Sequence, residues 1–210
     1  MARAGRLIKD GFLTLWDSFW IVWLSNFLWL VLCLPIVTIP LAFAGLYACA
    51  RALAHRKSPG WRSFFTGIKI YAGASLRWTG ANLFVYFLLA FYIWFFSFRA
   101  GNLTDAWRNL GYVFAVLALL WLSLNMYTFP FMLEQEKLSY LNALRNSTIL
   151  FLKWPGQALG ITLFNLLVIG LSIWLRFPWL VFGASLPALM SCLCVKDVVD
   201  QVNEATLVRS

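Results

Sequence analysis

Five long stretches of this chain contain no Asp, Glu, Lys or Arg: residues 18–50, 78–98, 109–133, 154–175 and 177–195. An α-helix needs about 20 consecutive apolar residues to cross the hydrocarbon core of a bilayer, and the last four stretches have 19 to 25 residues each. Charged residues make up 12% of the chain, against about 25% in a soluble domain. The sequence therefore predicts an all-α, polytopic transmembrane helical bundle with a single membrane domain over residues 1–210. It argues against a soluble enzyme domain and a disordered chain.

The first stretch is too long for one crossing. Its 33 residues would make a helix of about 50 Å, whereas the hydrocarbon core is about 30 Å thick. It also contains Pro35 and Pro40, and proline breaks or kinks a helix. Three interpretations compete: one long tilted helix, a hairpin of two short helices that turns near the prolines, and a cleaved signal peptide ending near Ala44. The apolar region before Ala44 is longer than the roughly 7–15 residues of a signal peptide.

The distribution of basic residues favours the hairpin. With a hairpin, 14 of the 17 Lys and Arg residues fall on one side of the membrane, and with a single tilted helix only 11 do. Because cytoplasmic loops are enriched in Lys and Arg, we predict six crossings with both termini in the cytoplasm. We assign the net charge of +9 to this enrichment and to contact with anionic lipid, not to nucleic acid binding. The predicted crossings are residues 18–34, 40–54, 78–98, 109–133, 156–175 and 177–195.

The turn between the first two predicted crossings is unusual because residues 34–39 carry no charge. Such a turn has no charged side chain that would favour its exposure to water. Irregular backbone is tolerated at membrane depth where neighbouring helices bury it. We therefore expect this turn to be buried among other helices.

Two amphipathic segments are predicted to lie as helices at the cytoplasmic membrane surface, over residues 61–76 and 138–152. In the first, Trp61, Phe64, Phe65 and Ile68 fall on one helical face, opposite a face with basic residues. An apolar face beside a basic face is typical of interfacial helices. Since each segment comes before a crossing, the pair also points to internal repetition.

A triplet of Ser or Thr, an apolar residue and Pro occurs three times, at residues 38–40, 128–130 and 185–187. With the amphipathic segments it suggests three repeated hairpins. The alternative is that the triplets are ordinary, since membrane helices tolerate proline and nearby hydroxyls help to satisfy the freed carbonyls. On the repeat interpretation the prolines would bend equivalent helices. The predicted helix kinks are at Pro35, Pro40, Pro130 and Pro187.

Five polar residues inside the charge-free stretches are the candidate site residues: Asn26, Asn82, Asn125, Thr128 and Asn165. An amide in hydrocarbon is costly unless it is hydrogen-bonded. The main interpretation is that these side chains hold helices together, at about 0.6–2 kcal/mol for each bond. The alternative is that several converge on a sugar-like ligand. The absence of ionisable residues from the five stretches argues against proton-coupled transport.

Small residues recur every four positions at Ala44, Ala48 and Ala52, and again at Gly156 and Gly160. Such small faces allow membrane helices to approach closely. We expect them to pack within one molecule, with dimerisation as the alternative.

The sequence predicts no catalytic, cofactor or metal site. Cys192 and Cys194 are two residues apart, but His55 lies far along the chain, and a zinc site needs about four suitably spaced ligands. Glu134 and Glu136 are expected on the solvated face of a cytoplasmic loop, where they can pair with Lys137 or a basic loop. Two exposed glutamates do not make a hydrolase site, and we predict that the protein is not an enzyme.

In its length of 210 residues and its hydropathy, and over nearly the whole chain, the sequence resembles the YesL-like family of small bacterial integral membrane proteins. The residues that carry the resemblance are Leu34-Pro35-Ile36-Val37-Thr38-Ile39-Pro40, then Ala44 and Tyr47, a short basic loop, and Phe64-Phe65. Many relatives would have Gly before the proline that stands here at position 40. The resemblance implies residence in the bacterial inner membrane and an association with carbohydrate uptake and polysaccharide degradation. It implies no catalytic residues.

Two functions follow as hypotheses. The first is a non-enzymatic accessory or regulatory component of carbohydrate uptake, which docks to a membrane permease partner. The second is a transporter or channel for a neutral solute such as a saccharide. A polar cavity lined by Asn82, Asn125 and Asn165 would favour the second, and a closed, dry bundle would favour the first.

Overall fold

A computed structural model describes residues 2–96, 105–175 and 177–207, and within these ranges the protein is all-helical. The helices are α1 (Ala2–Asp17), α2 (Phe19–Cys33), α3 (Ile39–Ala54), α4 (Trp61–Trp94), α5 (Asp105–Leu133), α6 (Tyr140–Lys153), α7 (Pro155–Leu175), α8 (Phe177–Val181) and α9 (Ser185–Leu207). A 3₁₀ turn, Ile36–Thr38, joins α2 to α3.

Four segments are long and apolar enough to cross a membrane: Ile36–Ala54, Trp61–Trp94, Asn109–Leu133 and Pro155–Leu175. A fifth is obtained if α1 and α2, which meet at an angle of 89°, are taken as one broken span. The expectation of a helical membrane protein is thus supported, whereas six crossings are not confirmed.

The chain reverses direction between α2 and α3. Near the turn, the rings of Trp29 and Phe43 meet edge to face at 5.6 Å. At the other end, Ser18 before α2 and Ala54 at the end of α3 line the same cleft. These contacts place α2 and α3 side by side as an antiparallel pair, which we call the α2–α3 hairpin.

The expected burial of the hairpin turn is wrong. Leu34, Ile36 and Val37 are 82%, 80% and 85% exposed. The Leu32 and Pro35 carbonyls at this turn find a partner within the turn itself. The Thr38 hydroxyl donates to the Pro35 carbonyl at 2.8 Å and also reaches the Leu32 carbonyl.

The predicted interfacial segment 61–76 and residues 78–94 of the predicted crossing 78–98 are joined in a single 34-residue helix, α4, which corrects the prediction of two elements. The last two residues of that predicted crossing lie outside the described ranges. The sequence contains no proline between them, and glycine alone costs a helix only about 1 kcal/mol. The first half of α4 packs against α3, where Gly67 touches Ala48 and the Ser75 hydroxyl donates to the Pro40 carbonyl. The predicted packing of this small-residue face within the molecule is therefore observed.

The predicted crossing 177–195 is not one helix. It is divided between α8 and α9, with residues 182–184 forming a turn, and α9 continues to Leu207. The charge-free stretch ends at Val195, whereas α9 carries Lys196, Asp197 and Asp200 in its second half. Helix α9 contacts α1, α2, α3, α5 and α7, so it occupies a central position among the helices.

Two of the four prolines predicted to kink helices begin helices instead. Pro40 and Pro187 lie in the first turns of α3 and α9, where the backbone N–H groups have no partner within the helix and proline is tolerated. Pro35 lies outside both helices, before the 3₁₀ turn. Pro130 is inside α5, so the three Pro triplets do not occupy equivalent positions in three hairpins.

Helix α1 is an element that the sequence analysis did not identify. One face, with Ala4, Leu7 and Gly11, is buried; Gly11 touches Met190 of α9, and Ala4 approaches Gly160 of α7. Phe12 and Trp16 are exposed on a second face. Helix α1 therefore presents an exposed apolar face beside its basic residues.

Candidate functional site

The five predicted site residues are all buried, with at most 8% of each residue exposed. They lie on four different helices: Asn26 on α2, Asn82 on α4, Asn125 and Thr128 on α5, and Asn165 on α7. Their hydrogen bonds show which of them the fold brings together.

Asn26 holds the turn between α8 and α9. Its Nδ2 donates to the carbonyls of Trp179 and Leu180 at 2.9 and 3.0 Å. Its Oδ1 accepts from the backbone N–H groups of Ala184 and Ser185 at 3.0 and 3.2 Å. One amide thus satisfies four backbone groups that the break between two helices leaves without helical partners.

Asn165 joins α7 to the first turns of α9. Its Nδ2 donates to the Ser191 hydroxyl at 3.0 Å and to the Pro187 carbonyl at 3.4 Å. The Asn165 Oδ1 is buried and has no hydrogen-bond partner within the described ranges. Thr128 makes a comparable link between α5 and α6, where its hydroxyl lies 3.2 Å from that of Ser147.

Asn82 and Asn125 are the two predicted site residues that share a contact surface, between α4 and α5. Asn82 Oδ1 accepts from Trp121 Nε1 at 3.0 Å, and further along the same surface the rings of Trp78 and Phe129 lie 5.2 Å apart. Trp121, Asn125 and Phe129 follow one another at intervals of four, so they share a face of α5. Asn125 therefore faces the segment of α4 between Trp78 and Asn82.

Two residues of α4 and Asn125 of α5 have buried polar atoms without a partner among the described residues. They are Asn125 Oδ1, Trp78 Nε1 and Thr79 Oγ1. Buried polar groups in proteins are normally hydrogen-bonded, and an unsatisfied one costs about 1–3 kcal/mol. The three atoms offer one acceptor, one donor and one hydroxyl that can do either. We call Trp78, Thr79 and Asn125 the α4–α5 polar group.

A charged cluster at the end of α3 is a feature that the sequence analysis missed. Arg51 Nε and Nη2 donate to the two Glu134 carboxylate oxygens at 2.9 and 3.3 Å. His55 Nε2 lies 2.9 Å from Glu134 Oε1, and Arg51 Nη1 donates to the Tyr71 hydroxyl at 3.1 Å. Three helices, α3, α4 and α5, meet in this cluster.

The expectation that Glu134 lies on a solvated face is wrong. Its side chain is only 15% exposed, since it packs against Arg51 and His55 at the end of α3. Burial raises the pKa of Glu134, but the hydrogen bonds and charges of Arg51 and His55 outweigh burial and hold this pKa below its ordinary value. Arg51 and His55 are four residues apart and so share a helical face, which is the sequence signal that could have found them. Glu136 is exposed, as expected.

Two clefts open where charged residues gather. The first, of about 460 Å³, lies between α1, the end of α3 and α9. Its charged lining residues are Asp10, Asp17, Arg56, Lys57, Lys196, Asp197 and Asp200. The second, of about 590 Å³, lies at the start of α6 and has Glu136, Lys137 and Arg145 in its lining. Neither of these two clefts is lined by Asn82, Asn125 or Asn165.

Cys192 and Cys194 are buried thiols on α9. Gln157 Nε2 lies 3.7 Å from the Cys194 sulfur and donates to Asp197 at 2.9 Å. Among the described residues, no three His, Cys, Asp or Glu side chains are grouped to hold a metal ion.

Comparisons of this chain with protein-family models, with curated proteins and with solved structures found no match.

Proposed function

We propose that this protein is a non-enzymatic accessory or regulatory component of the bacterial inner membrane, which docks to a membrane permease partner. The observation that carries the proposal is the division of its polar residues. Asn26, Thr128 and Asn165 are each used in separate contacts between elements of the same chain. Ten charged residues instead line two open clefts. A molecule in which these three polar side chains link its own elements, while charged residues line surface clefts, is suited to docking.

The proposed orientation has the N-terminus, the loop after α3 and the C-terminus in the cytoplasm. In support, Ser18 before α2 and Lys57 after α3 line the same cleft, together with Asp200 of the last helix. In the hairpin topology 14 of the 17 Lys and Arg residues fall on this side, which favours the cytoplasm for this end. Its basic residues are then near the anionic headgroups of the inner leaflet.

The proposed link to carbohydrate uptake comes from the resemblance of residues 34–40, Ala44, Tyr47 and Phe64-Phe65 to the YesL-like family. The cleft between α1, α3 and α9 supplies the proposed contact surface, because its lining carries three basic and four acidic residues. Complementary charges steer partners together and set specificity. A cytoplasmic segment of a permease with both signs of charge fits such a surface.

Site-directed photocrosslinking tests the proposal. A photoreactive residue replaces Lys57 in the cleft, and a matched control carries it at Gly80, which is exposed on α4 away from the cleft. We expect one discrete crosslinked membrane protein from position 57 and a weaker or different pattern from position 80. Elution of the protein alone in mild detergent, with unchanged uptake of every tested saccharide after deletion of its gene, would refute the proposal.

The second candidate function is a passage or carrier for a neutral solute, and the α4–α5 polar group favours it. Donors and acceptors that lack a partner between two helices are what hydroxyl groups of a solute would satisfy. Proteoliposomes loaded with mono- or oligosaccharides test this function. We expect flux that falls when Asn125 is replaced by Leu. Equal flux in proteoliposomes and in protein-free liposomes would rule this function out.

A further inference from the structure

The α2–α3 hairpin is short for a pair of membrane crossings. Helix α2 contains 15 residues and α3 contains 16, about 22 and 24 Å, although α3 together with the 3₁₀ turn reaches 19 residues, about 28 Å. The hydrocarbon core is about 30 Å thick. The helix lengths alone would allow two crossings where the bilayer is thin. The depth of the hairpin therefore has to be inferred from its contacts with α4.

Two contacts fix the level of the hairpin against α4. Gly67 touches Ala48, and the Ser75 hydroxyl donates to the Pro40 carbonyl. Since residue numbers rise on α4 as they fall on α3, the two helices are antiparallel and Pro40 lies beside Ser75. Helix α4 then continues for 19 residues, to Trp94, a length of about 28 Å. That remaining part is about as long as the hydrocarbon core is thick.

Charge on α4 marks where this remaining part begins. Arg62, Lys69 and Arg77 are all exposed on the half of α4 that runs beside the hairpin. After Arg77, the helix has no charged residue as far as Trp94. Exposed Lys and Arg side chains on a membrane helix reach for the headgroup region. The hairpin therefore lies beside the entry of α4 into the hydrocarbon, and only its tip extends beyond that entry.

The tip itself is suited to acyl chains and not to water. Leu34, Ile36 and Val37 are each at least 80% exposed and apolar. Backbone polar groups in hydrocarbon must be satisfied internally, and here the Thr38 N–H and hydroxyl both donate to the Pro35 carbonyl. The opposite end of the hairpin, beside Lys57, lines a charged cleft.

From these observations we infer that the α2–α3 hairpin is re-entrant: it enters the bilayer from the cytoplasmic side, immerses its apolar tip among the acyl chains of the cytoplasmic leaflet, and returns without crossing. The inference rests on the proposed cytoplasmic placement of Ser18 and Lys57. A re-entrant hairpin and a crossing hairpin both keep their two ends on the same side of the membrane. Both arrangements therefore place the same Lys and Arg residues on the cytoplasmic side.

Depth measurement by spin labelling separates the two arrangements. The four native cysteines are replaced by Ala, and single cysteines for the nitroxide label are introduced as Phe27→Cys in the middle of α2 and Val37→Cys at the tip. The full chain is reconstituted in phosphatidylethanolamine–phosphatidylglycerol vesicles. Collision of the label with oxygen, compared with collision with a water-soluble nickel chelate, reports depth. Ile36→Cys serves as a second tip position should Val37→Cys fail to fold.

A re-entrant hairpin makes the tip label the deeper of the two, with the larger ratio of oxygen to nickel collisions. A crossing hairpin makes the label at position 27 deeper, and that result, or equal depths, would overturn the inference. Lys57→Cys tests the underlying orientation separately. Labelling of that cysteine by an impermeant maleimide in spheroplasts, and not in inside-out vesicles, would overturn the proposed cytoplasmic placement whatever the depth of the tip.

Discussion

The carboxylate of Glu134 accepts hydrogen bonds from both Nε and Nη2 of Arg51, at 2.9 and 3.3 Å. Arg51 lies 83 positions earlier in the chain. This two-point bond ties the end of α3 to the end of α5. Bidentate pairs of Arg and carboxylate are among the stronger hydrogen-bonded contacts in proteins. Since the Glu134 side chain is 15% exposed and that of Arg51 33%, the pair is partly shielded from water.

Glu134→Gln should destabilise the protein by roughly 2 kcal/mol, because the charge-assisted bonds to Arg51 and His55 are lost while the Arg51 charge stays partly buried. Thermal unfolding in detergent, followed by tryptophan fluorescence, measures the effect. Glu136→Gln is the matched control, since Glu136 is exposed in the same loop, and it should change stability by less than about 0.5 kcal/mol. Equal effects of the two substitutions would contradict the assigned role of Glu134.

The same carboxylate should make stability depend on acid pH. Its pKa in the folded protein lies below the ordinary value of 4.5, so folding favours the ionised form. The contribution is therefore fully present above about pH 5 and is lost as the pH falls through the folded-state pKa. The difference in Tm between the protein and Glu134→Gln should shrink as the pH falls from about 6 to about 3.5. A difference that stays constant over this range would exclude Glu134 as its source.

Gly67→Ala should destabilise the protein and Gly73→Ala should not, although both glycines lie on α4. A methyl group at position 67 would collide with the Cβ of Ala48, whereas no described atom lies within 4 Å of the site at position 73. Forcing a methyl group into packed helices typically costs about 1–3 kcal/mol. Replacing an exposed helical glycine by alanine gains up to about 1 kcal/mol. Unfolding temperatures in detergent should fall for the first and rise or stay unchanged for the second; an equal fall in both would argue against the close contact at position 67.

Asn26→Leu should cost more stability than Asn125→Leu. The Asn26 amide bonds four backbone groups of the turn between α8 and α9, and each group left unsatisfied costs about 1–3 kcal/mol. The Asn125 Oδ1 has no partner in the part of the chain that the structure describes, and its Nδ2 donates to the Trp121 carbonyl on the same helix. Limited proteolysis at the α8–α9 turn gives an independent measurement. Faster cleavage in Asn125→Leu than in Asn26→Leu would reverse the assignment.

The helical membrane class could be predicted because charge-free stretches of crossing length are rare outside membrane-spanning helices. Side-chain partners could not be predicted, since Asn26 pairs with residues more than 150 positions away. Helix α1 is strongly two-sided, but it was missed because its four charged residues before Phe12 keep it out of the charge-free stretches. The continuity of α4 was missed because Arg77 falls at the boundary of the two predicted segments, although a helix can carry charge where it enters the headgroup region.

The burial of Glu134 was missed for a related reason. A charged residue next to an apolar stretch is normally expected to be exposed to solvent. The one sequence sign that Glu134 could be buried is the spacing of Arg51 and His55, whose side chains pair with its charge. The hairpin turn was expected to be buried and is exposed. The reason is that Thr38 bonds two carbonyls that were expected to need neighbouring helices.

The contact of Asn26 with the α8–α9 turn has a consequence for biosynthesis. Translation at about 5–20 residues per second makes Asn26 roughly 8–30 s before Ser185. During that interval the Asn26 side chain lacks its four backbone partners on the α8–α9 turn. Helix α2 therefore cannot make these contacts until the turn has been synthesised. A chain that stops before α8 leaves the Asn26 amide without the four backbone groups that satisfy it in the folded protein.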